Sequence, residues 1–174
     1  MKISQFIFVG VIALALSSCD TLSRRQFVIR GGANPEDEKT VISLMASAAS
    51  AVGFIDTDSP EYQKEFAGMA QMVANEFGTE NVIAQPITSA SRGFLACYGQ
   101  LGKNTNLDSF VSDGDIIVLL HSIHGGLSSR AAPREYKKIN SILSKELPKV
   151  FGDRLVIDPK LPSAPYREVK AASQ

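Results

Sequence analysis

Two histidines close an apolar run in the stretch Asp113–Gly126, DGDIIVLLHSIHGG. His124 stands just past Ile116–Leu120 and just before Gly125-Gly126. That is where a general base would sit at the end of a buried strand. A base of this kind needs a nucleophile within hydrogen-bond reach. Ser122, Ser128 and Ser129 supply hydroxyls nearby, but no nucleophile-elbow pattern surrounds them. The chain has two cysteines, Cys19 and Cys97. Cys97 shares a stretch with Phe94, Tyr98 and Leu101, the setting of a small buried hydrophobe. Metal binding by His121 and His124 is disfavoured. On a strand, a spacing of three sends the rings to opposite faces. No neighbouring Asp, Glu or Cys completes a set of three or four ligands. Gly31-Gly32 ahead of a helix lacks the spacing of a nucleotide loop, and the following Glu36-Asp37-Glu38 would repel phosphate. It reads as a turn into a capped helix, so neither a metal nor a cofactor is expected.

Cys19 has a different chemistry. Lys2 is followed by the apolar run ISQFIFVGVIALAL, then Ser17, Ser18 and Cys19. A charged start, an apolar middle and small residues at the end describe an export signal. The stretch Leu16–Cys19, LSSC, resembles the lipobox of bacterial lipoproteins. The resemblance covers the first 19 residues and implies cleavage between Ser18 and Cys19, with lipid on the Cys19 thiol. Two or more acyl chains give a stable anchor, where one gives only reversible binding. Asp20 resembles an inner-membrane retention signal, so a lipid-anchored protein facing the periplasm is expected. Cys97 is then left with no second cysteine for a disulfide within the chain, and the domain folds on its core alone.

Several elements position these residues. Residues 26–32, QFVIRGG, form a strand candidate ending in glycines. Asn34 can cap a helix with Pro35 first and acids in its first turn. Val41, Met45, Ala48 and Val52 share one face of it, and Gly53 ends it. Ser59-Pro60-Glu61 starts a second helix whose stripe is Tyr62, Phe66, Met69, Val73 and Phe77. Residues 81–87, NVIAQPI, suggest a short strand. Residues 91–101 favour a helix, although Gly93 and Gly99 weaken it. The unbroken run Ile116–Leu120 predicts a strand buried on both faces, as in a parallel sheet covered by helices. PREYKKINSILSKEL predicts a helix ended or kinked by Pro148, and DRLVID (153–158) a last strand.

Strand, helix pair, strand, helix, strand, helix, strand is the order of a small layered α/β fold. The expectation is a mainly parallel sheet with helices on both faces. If 94–98 is a strand instead, a ferredoxin-like α+β sandwich is the alternative. The division is signal peptide 1–18, lipidated tether 19–25, single domain 26–158 and Pro-rich tail 159–174. The chain has 174 residues, no net charge and 44% hydrophobic residues, which suits one globular domain. No strongly basic balance points to nucleic acid. Residues 19–129 carry a net charge of −6 and residues 130–174 a net charge of +5. The plainer reading is a solvated basic helix face, and the sharper one a surface toward anionic headgroups.

In a parallel sheet, ligand-binding groups gather at the carboxyl ends of the strands. His124 would stand there, with His121, Arg30 and Lys160 on the rim. Ser122–Gly125, SIHG, resembles the Ser-x-His-Gly strand end of caspase-like cysteine peptidases, in a pattern of elements covering roughly residues 60–160. The resemblance implies His124 as the general base and a nucleophilic cysteine after the next strand. Pro159, Lys160 and Leu161 stand there instead, and no cysteine follows Cys97. The resemblance therefore implies an inactive or truncated domain, and the expectation is binding or scaffolding, with the membrane as partner through lipid on Cys19 and an envelope protein as the other. A hydrolase built on His124 with another nucleophile is the alternative.

Overall fold

The computed structural model describes residues 21–77, 89, 93–124 and 132–158. The strands are β1 (Thr21–Ile29), β2 (Ile55–Asp56), β3 (Ala96–Gly99), β4 (Thr105–Ser112), β5 (Asp115–His124) and β6 (Leu155–Ile157). The helices are α1 (Pro35–Ser50), α2 (Pro60–Phe77) and α3 (Arg134–Phe151), with a 3-10 turn at Gly152–Arg154. The strands form one sheet in the order β2-β3-β4-β5-β1-β6, and every neighbouring pair is antiparallel.

Local chemistry explains the elements. Asn34 accepts a 3.0 Å hydrogen bond from the Asp37 N–H, capping α1. The Ser59 hydroxyl likewise accepts from the Tyr62 N–H at 3.2 Å, ahead of Pro60. Asp113 and Gly114 both have positive φ, 53° and 83°. Two such residues make the tight turn that suits the twist of a hairpin, joining β4 to β5. Phe27 and Ile29 on β1 and Ile116, Val118 and Leu120 on β5 point to one face and are completely buried. Val41 and Met45 of α1 and Leu143 and Leu147 of α3 close the same core. α3 continues through Pro148 to Phe151.

The expected mainly parallel sheet is not present. The run Ile116–Leu120 was read as parallel because it is apolar throughout. Hydropathy reports burial on both faces, and Ile117, away from the helical face, is indeed only 8% exposed. It carries no information on strand direction. The framework is α+β, compatible with the ferredoxin-like alternative. β6-β1-β5-β4 has the order of two interleaved β-α-β units, with α1 and α3 as the crossovers on one face. β2, α2 and β3 are inserted between α1 and β4.

Three local expectations also change. Residues 96–99 are strand rather than helix: Ala96 and Tyr98 face the core while Cys97 lies opposite Asp108 on the other face. Gly99 fits a strand here, because a Cβ would come within 3.1 Å of Asn106 Oδ1. β4 was not anticipated, since its core face alternates polar Thr105 and Ser109 with Leu107. β1 begins at Thr21, so residues 21–25 are strand and not tether. The strand expected at 81–87 and the tail 159–174 lie outside the described residues.

Candidate functional site

Antiparallel pairing separates the residues expected to converge. Thr21 is in register with His124, and Ile29 with Ile116. The sheet thus has a near end, where β1 starts and β5 finishes, and a far end, where β1 finishes and β5 starts. Arg30 follows β1 at the far end, exposed. His124 closes β5 at the near end, nine register positions away, or about 30 Å at strand spacing. Asp158 is also remote from His124, because β1 lies between β6 and β5 and Ile157 pairs only with Phe27. Lys160, Ser18 and Cys19 lie outside the described residues.

Neither candidate nucleophile meets His124. Cys97 pairs with Asp108, and Asp108 with Leu119. Its backbone is therefore about 10 Å across the sheet from β5 and about 17 Å short of His124. Those spans exceed the reach of a Cys–His hydrogen bond. Ser122 is completely buried on the core face, where it accepts a 2.8 Å hydrogen bond from the Thr105 hydroxyl. It is held as a partner in the core and faces no solvent. Ser128 and Ser129 lie outside the described residues.

His121 does take part in a polar cluster, on the sheet face opposite α1 and α3. Asn106 is its register partner on β4, and Arg24 its partner on β1. Asn106 Nδ2 lies 3.4 Å from His121 Nε2, and Asp108 Oδ2 lies 3.6 Å from Nδ1. With the amide donating to Nε2, the ring proton sits on Nδ1 and faces the carboxylate. At 3.6 Å that contact is longer than a hydrogen bond. Nδ1 is buried and finds no hydrogen-bond partner among the described residues. Nε2, the atom a general base would use, is engaged by Asn106. The arrangement can hold a charge or a polar group, but it does not form a nucleophile–base pair. Sequence reading placed His121 on a rim; it missed Asn106 and Asp108 because it missed β4.

The near end gathers other groups. Leu22 and Ile123 are in register on one face, 59% and 47% exposed. The Ile123 N–H donates to Asn104 O at 2.9 Å, tying the β3–β4 loop to β5. Lys103 of that loop meets Glu135 at 3.2 Å, and Lys138 donates to Ala51 O at 2.6 Å at the end of α1. The backbone N–H and Lys103 together hold the Glu135 carboxyl below its ordinary range. Arg134, Lys138 and the end of α1 flank an open depression. Burial pushes the Tyr136 hydroxyl up.

Among the described residues, no three His, Cys, Asp or Glu side chains gather as a metal site. No helix among them is long and apolar enough to cross a membrane. Fold and site together define an α+β domain with an antiparallel sheet, a polar cluster on one sheet face and an exposed apolar pair at one end. Compared with family models, curated proteins and solved structures, the chain matches none.

Proposed function

We propose that this is a bacterial envelope lipoprotein, held by lipid on Cys19, whose α+β domain faces the periplasm and acts in binding or scaffolding. The observation that carries the reading is the ordered sequence of Lys2, the apolar run and Leu16–Cys19. The position of β1 is compatible with it, because the strand is paired from Thr21, two residues after Cys19. Asp20 favours the inner membrane. An envelope protein is the partner for the scaffolding role.

Labelled palmitate supplied to cells should enter the protein at Cys19. Cys19→Ser should abolish the label and move the protein from the membrane pellet to the soluble or unprocessed fraction. Continued membrane retention without label would sink the reading.

A further inference from the structure

We infer that the near end of the sheet is a membrane-docking face that seats on anionic phospholipid headgroups; this rests on the lipid-anchor reading of Cys19. The first argument is length. Leu22 is three residues from Cys19, a span of at most about 10 Å of extended chain. The polar layer of one leaflet is about 5–7 Å deep. β1 is already paired from Thr21, so a single residue, Asp20, separates the anchor from the sheet. Lipid on Cys19 therefore holds the near end within the interface and presents the far end to the periplasm.

The second argument is what the chain places at that end. Leu22 and Ile123 form an adjacent pair left open to solvent, whereas Val28 and Ile117, farther along the same face, are 6% and 8% exposed. Two exposed aliphatic side chains suit the boundary between headgroups and acyl chains. Exposed Arg24 follows Leu22 on that face. Lys103, Arg134 and Lys138 stand at the same end, and Glu135 is the acid beside them, bonded to Lys103. Arg24 shares the face of the apolar pair, and Lys103, Arg134 and Lys138 stand on the side of α3; cationic groups beside an apolar pair complement an anionic leaflet.

The chain has no tryptophan, so Ile123→Trp introduces a unique indole. The lipidated full chain is reconstituted into vesicles with roughly a third anionic lipid, plain or brominated near the headgroups. Val111→Trp is the control: Val111 is 40% exposed at the far end, paired with Ile116. The indole at position 123 should be quenched about twofold or more by brominated lipid, and the one at position 111 should not. Arg24→Glu with Lys103→Glu should reduce quenching at position 123 toward the control while the protein stays vesicle-bound. Equal quenching at both positions on floating vesicles overturns the docking face and leaves the anchor standing. An indole at position 123 that is blue-shifted yet unquenched means a protein covers this end, which also overturns it. A wild-type chain that fails to float with vesicles, as Cys19→Ser does, fails the anchor reading itself.

Discussion

Asp158 stops β6 from running on along β1, and its removal should be costly in a graded way. Its backbone is left-handed, with φ 46°. Its N–H donates to Gln26 O at 2.7 Å, and its Oδ1 accepts from the Gln26 N–H at 2.9 Å. Its Oδ2 pairs with the Arg25 guanidinium. Asp158→Ala removes a charged acceptor from a part-buried N–H, about 1.5 kcal/mol. It also removes a half-exposed ion pair, about 0.5 kcal/mol. Alanine pays about 1 kcal/mol more for the left-handed backbone. The loss should be about 3 kcal/mol. Asp158→Gly relieves the backbone and should cost about 2 kcal/mol. Asp158→Asn keeps an acceptor and tolerates the backbone, so about 0.5 kcal/mol should be lost. Equilibrium urea unfolding followed by circular dichroism reads this directly. With a slope of about 2 kcal/mol per molar, the Ala midpoint should fall by about 1.5 M. Equal losses for Ala and Asn would refute the capping role, and a larger loss for Gly than for Ala would refute the backbone argument. Among the described residues β6 pairs with β1 only at Phe27–Ile29, and at residues 24 and 25 the charges of Arg24 and Arg25 discourage pairing with another chain.

Three further outcomes are expected. Thr105→Val and Ser122→Ala should each cost about 1–2 kcal/mol by stranding a buried hydroxyl, and the double variant should cost less than their sum; strict additivity in urea unfolding would count against the pair. Arg154, then Asn34, hold the Asp37 carboxyl below its ordinary range, so its folded pKa is lower than its unfolded one. Its contribution is present above about pH 4 and is lost as pH falls through the folded value; Asp37→Asn should lower stability by about 0.5 kcal/mol at pH 7 through the helix dipole, and curves of both proteins should merge near the acid end. In Cys19→Ser protein, the 5%-exposed Cys97 thiol should react with a thiol reagent only after unfolding; rapid labelling of the native protein would reopen its chemistry.

Helix starts were legible because they are written locally. Asn34-Pro35 and Ser59-Pro60 each place an acceptor side chain and a fixed φ at the first turn, and both caps form. Asp113-Gly114 is the pair that turns the hairpin, but without a strand recognised before it the sequence reading drew no hairpin there. β4 was illegible because Thr105 and Ser109 spend their hydroxyls on partners inside the fold, Ser122 and the Ala96 carbonyl. A polar residue at a buried position looks like a loop until its partner is known.

The sequence by itself determined α1, α2, α3 and the central apolar strand, since each depends on neighbours within a turn or two. Only the tertiary structure decided strand direction, and with it the fate of the candidate site. Antiparallel pairing sends Arg30 and His124 to opposite ends of one sheet and leaves His121 beside Asn106 and Asp108. It also brings Leu22 against Ile123 across 101 positions of chain. Which residues meet depends on register, and register is a property of pairs of strands that no single stretch of sequence contains.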